Sequence, residues 1–334
     1  MTLSPENSAI ICSEDSSFFF AMHNLDGKVF KKLFICIFME ITLLGTSSMV
    51  PTRKRNHAAS LFRYKNEMIL IDCGEGTQRQ FRKAKISPTK ITKILITHWH
   101  GDHILGLPGL FMTLAANNYS KTLEIYGPVG TKKNLEKMFG FFVKREVVKW
   151  KAFEVKEGTV FEAMDFKVEA LPMEHGTKCL GYRIVENDRR KIIKSKLDKF
   201  GVKPGRHIKE LQSGKDIVYK GKKVKAKDVS TLVKGRVLSY VTDTRKCDNA
   251  VKLAKNSDLL ICESTYSEDL KDQAKERKHM TAKDAATIAK RAKVKKLVLI
   301  HFSQRYKDES LLEKEAKKVF KKTVAGEDLM KFVI

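Results

Sequence analysis

Paired cysteines are missing from this chain. Its six cysteines, Cys12, Cys36, Cys73, Cys179, Cys247 and Cys262, are scattered and form no C-x-x-C motif. That scatter argues against a disulfide framework and against cysteine metal ligands. It suits reduced thiols in a cytoplasmic protein, each a small core residue. A membrane span is missing too. No segment approaches the roughly 20 apolar residues that cross a bilayer. The nearest run, 33–39, follows Lys31 and Lys32, but it is short, lacks a small-residue cleavage site and sits behind thirty polar-to-mixed residues. It fits neither a membrane helix nor a signal peptide, so no membrane partner is expected. The third shortage is of acid. Against 65 Lys and Arg there are 39 Asp and Glu, a net charge of +26. A field that positive favours a polyanion, nucleic acid first and an anionic membrane surface second. A lysine-rich or thermophilic surface habit would normally bring acidic partners to match.

The 334 residues allow one large domain or two modest ones, and 42% hydrophobic content is ordinary for a globular chain. From Met39 onward, short apolar runs alternate with helix-like stretches. Strands are expected at 41–45, 68–72, 93–97, 123–126, 166–171, 181–185, 237–242, 258–263 and 296–301. Helices are expected at 78–85, 107–117, 131–142, 248–255, 282–293 and 311–320. This interleaving argues an α/β or layered α+β fold. Residues 1–38 read as an extension, disordered or the product of a start assigned too early, and no function is placed on them, while residues 39–334 read as the folded domain. One stretch, about 187–235, breaks the pattern: apolar periodicity is weak and lysine dense. A long irregular segment inside a compact domain is usually functional or disordered. Here a Pro-Gly turn flanked by cations suggests a projecting arm for phosphates.

Against that background stands one dense motif, His98-Trp99-His100-Gly101-Asp102-His103. A lone histidine would be read as a polar loop residue. Three imidazoles and a carboxylate in six positions point to metal instead. On extended backbone His98 and His100 face the same way. Gly101 allows a turn that swings Asp102 and His103 toward a neighbouring point. The donor mix suits zinc, and manganese or iron could also accept it. Two ions need further ligands. His175, Asp243 and His301 each sit at the C-terminal end of an expected strand, where α/β folds gather functional groups.

This pattern resembles the metallo-β-lactamase superfamily, and within it the short-form ribonuclease Z family. The resemblance runs from Met39 to the end. It is carried by Gly45-Thr46-Ser47, by Asp72 through Gln78, by Thr97 through Gly109, and by Asp243-Thr244-Arg245. Glu263-Ser264-Thr265-Tyr266 and His279-Met280-Thr281-Ala282 complete it. It implies a four-layer αββα sandwich with an inserted basic arm at 187–220. It implies two Zn2+ per subunit: His98, His100 and His175 on one, Asp102, His103 and His301 on the other, and Asp243 bridging. Asp102 would also orient or deprotonate the attacking water. His279, steadied by Glu263, would stabilise the transition state or protonate the leaving 3′ oxygen, and Asp72 would orient a metal-bound histidine. The implied substrate is precursor tRNA, trimmed of its 3′ trailer by a homodimer in which one subunit's arm grips tRNA cleaved by the other. Candidate RNA contacts are Arg53, Lys54 and Arg55 near the start and Lys203 and Arg206 in the arm. Arg53 stands where the family usually has Lys, and Arg206 where it usually has a second proline. Competing expectations are a small-molecule phosphodiesterase on the same fold, which has no need of a cationic arm, and a non-catalytic tRNA-binding protein with a structural metal site. A multi-domain mRNA-processing nuclease fits least, because no large domain separates His175 from His301.

Overall fold

The computed structural model describes residues 36–141 and 148–334. The first six strands in chain order are β1 (Cys36–Gly45), β2 (Ala59–Lys65), β3 (Glu67–Ile71), β4 (Lys93–Leu95), β5 (Leu123–Pro128) and β6 (Trp150–Val155). Then come β7 (Gly158–Glu162), β8 (Phe166–Met173) and β9 (Cys179–Glu186). An inserted unit holds β10 (Arg189–Ile192), β11 (Ile217–Tyr219), β12 (Lys222–Val224) and β13 (Ser230–Val233). The chain closes with β14 (Val237–Val241), β15 (Leu259–Glu263), β16 (Lys296–Ile300), β17 (Thr323–Ala325) and β18 (Lys331–Val333). One seven-stranded sheet has the order β18-β1-β2-β3-β4-β5-β6, the other β17-β16-β15-β14-β9-β8-β7. Both are mixed. β3 to β6 run parallel, as do β14 to β17, and antiparallel strands complete each sheet.

The alternation along these strands creates the layers. In β3, Ile69 and Ile71 enter the core between the sheets, while Met68 and Leu70 face the helices outside. In β15, Leu259 and Ile261 turn inward and Leu260 and Cys262 outward. Strands buried on both faces read as continuous apolar runs, which is why they were visible in the sequence. Each such side chain contributes about 1.5–3 kcal/mol, so a one-residue slip that reversed the faces is strongly disfavoured. Helices pack on the outer faces, among them Thr77–Lys83, Leu107–Ala116, Asp248–Ala254, Ala282–Arg291 and Ser310–Val319. The result is the four-layer αββα sandwich expected. Among the described residues no helix is long and apolar enough to cross a membrane.

The two sheets are sewn together at one end. The Leu180 N–H donates to the Thr97 carbonyl, the Ser48 N–H to Phe302 and the Phe302 N–H to Thr46. The segment after β4 is thereby tied to the start of β9, and the segment after β1 to the segment after β16.

Two expectations differ from the structure. β1 begins at Cys36, so the last three residues of the expected extension 1–38 lie in a strand; the rest lies outside the described residues. The stretch read as irregular is folded. Its arm, expected over 187–220, continues through the β11–β12 hairpin and returns by β13, with Arg189 paired to Val233. Leu197, Val202, Leu211, Ile217, Val224, Ala226 and Val229 give it a core of its own. Its strands span only three or four residues, too few to show a period.

Candidate active site

The strand ends build the site. Asp72 directly follows β3, and His301 directly follows β16. Asp243 lies two residues beyond β14. All three have positive φ, +57°, +61° and +51°, a conformation rarely held by residues with a side chain. Such strain of about 1–3 kcal/mol each persists where surrounding contacts over-determine it. Beyond β4, His98 and His100 turn the same way, with ring centroids 4.5 Å apart. Asp102 and His103 then sit in the short helix Gly101–Ile104. His175 reaches in from the segment after β8, where its Nε2 lies 3.2 Å from His100 Nδ1.

The donor atoms fall into two sets. In one, His103 Nε2 lies 3.2 Å from Asp243 Oδ2, 3.4 Å from Asp102 Oδ2 and 3.3 Å from His301 Nε2. His301 Nε2 lies 3.5 Å from Asp102 Oδ2 and 3.4 Å from Asp243 Oδ2. Equal bonds of about 2.0–2.1 Å to a tetrahedral ion require donor–donor edges of about 3.3–3.4 Å. These four atoms therefore fit a zinc-sized ion. The other set, His98, His100 and His175, gathers about Asp243 Oδ1, 3.8 Å from His98 Nε2 and 3.9 Å from His175 Nε2. Asp243 thus presents one oxygen to each set.

Proton positions also fit. Asp72 can only accept, so His103 Nδ1 at 2.8 Å carries the hydrogen and Nε2 keeps its lone pair. The Thr97 hydroxyl donates to Asp72 Oδ2 at 2.8 Å and so accepts from His98 Nδ1 at 3.1 Å. The Thr265 hydroxyl donates to Glu263 Oε2 at 2.8 Å and accepts from His301 Nδ1 at 3.0 Å. His175 Nδ1 donates to the Lys278 carbonyl at 3.2 Å. Four imidazoles thus turn an unprotonated Nε2 inward, the state in which imidazole binds metal. His98 Nε2 is buried without a hydrogen-bond partner, a costly state that an ion would relieve.

Electrostatics agrees. Burial pushes His98 well below the usual imidazole range, helped by the ring of His103. Burial also lowers His175. Burial would raise Asp243, yet His301, His103 and His98 hold it well below the carboxylate range. Burial opposes charge on His103 as well, but Asp243 and Asp72 lift it well above its usual value. Positive charge is favoured at that point, and a divalent cation meets the same demand while leaving Nε2 free.

His279 differs. Burial opposes its charge, but Glu263 raises it to about 9, with Nδ1 at 3.1 Å from Oε2. Glu263 is itself fully buried and also accepts from the Thr244 N–H at 2.6 Å and the Met280 N–H at 3.1 Å. His279 is thereby held by Glu263 at the wall of the cleft that it lines.

Arg53 and Lys54 are exposed on the loop before β2, and Lys203 and Arg206 are exposed on the inserted unit. Arg55 is a correction. It is 6% exposed, ion-paired with Glu309 and 5.3 Å from the Phe302 ring centroid. It holds the loop in place and does not face RNA. Thr97 and Thr265 were not singled out as functional residues, although both lie within the sequence matches. A hydroxyl's role depends on which groups flank it in space, and spacing carries no sign of that.

Residues 39–193 match the family model described as anti-Pycsar protein Apyc1. Residues 211–302 match that of the beta-lactamase superfamily domain. The chain is 42% identical to ribonuclease Z of Protochlamydia amoebophila over 88% of its own length and 96% of the relative's. The chain belongs to the ribonuclease Z family. It is accordingly a ribonuclease, a phosphodiester hydrolase on a metallo-β-lactamase fold. Ribonuclease Z of Methanothermobacter thermautotrophicus is 40% identical, covering 87% of this chain and 95% of that one. Among solved structures, the short form of human tRNase Z superposes with a TM-score of 0.64 at 29% identity, over 88% of this chain and 98% of that one.

Proposed function

We propose that this ribonuclease removes the 3′ trailer from precursor tRNA by hydrolysis at a two-zinc centre. The observation that carries this reading is Asp243, whose two oxygens face the two donor sets beside His279. His98, His100, His175 and Asp243 would hold one ion, and Asp102, His103, His301 and Asp243 the other. Zinc, when bound, supplies Lewis acidity and brings the pKa of water toward about 7. Manganese or iron could serve the same donors.

Asp102 is placed to orient the attacking water, its own position fixed by the Met49 N–H at 2.9 Å. Burial opposes charge on Asp102, but hydrogen bonds from His103 and His301 hold it ionised, well below the carboxylate range. A water oxygen forms the new bond to phosphorus while passing a proton by way of the Asp102 carboxylate to solvent, which later restores the proton His279 gives up, and the bond from phosphorus to the tRNA 3′ oxygen breaks. His279 delivers its Nε2 proton to that oxygen, while Glu263 keeps the resulting imidazole oriented through Nδ1. The products are a tRNA ending in a 3′-hydroxyl and a trailer beginning with a 5′-phosphate. Exposed Lys203 and Arg206 on the inserted unit, with Arg53 and Lys54, would grip tRNA phosphates.

The working form in this reading is a homodimer. Supporting it, no charge occurs from Ile104 to Tyr119, although Leu105 is 55% and Met112 60% exposed. An uncharged exposed helix face is unusual on a chain this charged. Buried unpaired Cys73, Cys179, Cys247 and Cys262 suit a reducing compartment such as the cytoplasm. A trailer-bearing precursor tests the activity: the parent should cut it, and Asp102→Ala should not, while still binding tRNA. Intact precursor with metal-loaded parent contradicts the proposal.

A further inference from the structure

Met49 is held in a conformation that suits glycine. Its φ of +52° lies in the left-handed region, which side chains other than those of asparagine and aspartate rarely adopt. Three hydrogen bonds keep it there. Its N–H donates to Asp102 Oδ2 at 2.9 Å. Its carbonyl accepts from buried His57 Nε2 at 3.0 Å. Around it, the Val50 N–H closes a three-residue turn on the Ser48 carbonyl. Turns of this size with a positive central φ are uncommon and strained.

Asp102 needs only the backbone N–H, which glycine would present at that φ without steric cost. The side chain is therefore what the metal centre leaves unexplained. It stands 77% exposed, beside Val50 at 37%. Both line a cleft of about 330 Å³ over the donor sets, with Tyr266, Arg277 and Arg305 also on its wall. The Arg305 guanidinium lies 4.9 Å from the Tyr266 ring centroid. The cleft thus offers two chemistries. Arginines and the centre itself meet phosphate oxygens. Met49 and Val50 offer apolar surface, and a thioether packs well on a flat ring. An unpaired nucleobase is the part of a nucleic-acid chain that such a surface fits. Backbone strain held this firmly beside a reacting centre points to a functional side chain.

We propose that Met49 is a substrate-contact residue, supporting the unpaired base next to the scissile phosphate. The proposal rests on the reading of the site as a tRNA-trimming nuclease. It is tested with parent, Met49→Gly and Met49→Leu proteins, on a trailer-bearing precursor and on the same precursor made abasic at the residues flanking the cut. Met49→Gly should lower kcat/KM on the intact precursor about tenfold, the scale of a good thioether–ring contact. Met49→Leu should recover most of that loss. The abasic precursor should be cut about tenfold more slowly by the parent, and Met49→Gly should add no more than about twofold to that loss. Metal content should stay at the parent's value in all three proteins. Losses that multiply on the abasic precursor overturn the proposal. So does a fall in bound metal for Met49→Gly, which would leave Met49 serving Asp102 alone. A parent that leaves the precursor intact overturns the proposed function, and this assignment with it.

Discussion

Asp72→Asn isolates the role of one carboxylate without changing its shape. Asp72 is fully buried at φ +57°, a conformation asparagine tolerates. Its Oδ1 accepts from the Thr97 N–H at 2.7 Å. Its Oδ2 accepts from the Thr97 hydroxyl and from His103 Nδ1, both at 2.8 Å. An amide has one acceptor end and one donor end. If its NH2 replaces Oδ1, it meets the backbone N–H of Thr97, which cannot reorient. If it replaces Oδ2, His103 must accept at Nδ1 and carry its proton on Nε2, the atom aimed at Asp102, Asp243 and His301. Either orientation leaves a buried donor unpaired or a ligand blocked, at about 1–3 kcal/mol. The expected result, on the proposed two-ion centre, is a loss of about 10–100-fold in affinity for the ion that Asp102, His103 and His301 would hold. Chelator-competition titration with zinc, resolving two binding steps, reads this directly. The ion near His100 and His175 should lose less, because only His98 is tied to Asp72, and through Thr97. Two unchanged affinities, or a loss confined to the His98, His100 and His175 set, would refute the reasoning.

Four further outcomes are expected. His279→Gln should lower kcat by about 10²–10⁴-fold while elemental analysis finds the parent's metal content. Arg55→Ala should cost about 1–3 kcal/mol in urea unfolding, because the half-buried Glu309 loses its partner; Arg53→Ala should stay within about 0.5 kcal/mol and weaken precursor binding instead. Glu186 accepts from Arg236 and Tyr64, and although burial opposes its charge these partners hold it at about 2; its folded pKa is depressed, so its stabilisation is present above the unfolded pKa and disappears as pH falls through about 4 to 2. Glu186→Gln should therefore cost about 1–2 kcal/mol at pH 7, discounted for partial solvent screening, and the difference from the parent in urea unfolding should vanish near pH 2. If the proposed homodimer forms, light scattering should find the parent at twice the chain mass and Met112→Glu at the single-chain mass; a dimeric Met112→Glu would remove the helix Leu107–Ala116 from the interface.

How much the sequence disclosed followed from how local each signal was. His98 to His103 carry their geometry within six neighbouring positions, so their convergence was legible. Buried strands such as β15 and β16 announced themselves as apolar runs, and with them the strand-end positions of Asp243 and His301. The division into donor sets depends on how β4, β14 and β16 are brought together across the two sheets. Only the metallo-β-lactamase resemblance supplied it in advance. The left-handed turns at Asp72, Asp243 and His301 left no mark, because none uses glycine. The hydroxyl relays of Thr97 and Thr265 were invisible for the reason that any threonine can donate or accept. Arg55 looked like its neighbours Arg53 and Lys54. Its burial is decided by Glu309 and Phe302, residues from the other end of the chain. The inserted unit was misjudged as irregular because its core residues lie on elements too short to repeat.

The most direct measurement is cleavage of a trailer-bearing precursor tRNA by the metal-loaded protein, with both new ends mapped chemically. The account predicts a tRNA closing in a 3′-hydroxyl and a trailer opening with a 5′-phosphate. A 2′,3′-cyclic phosphate on the tRNA, or a precursor left intact, would contradict it.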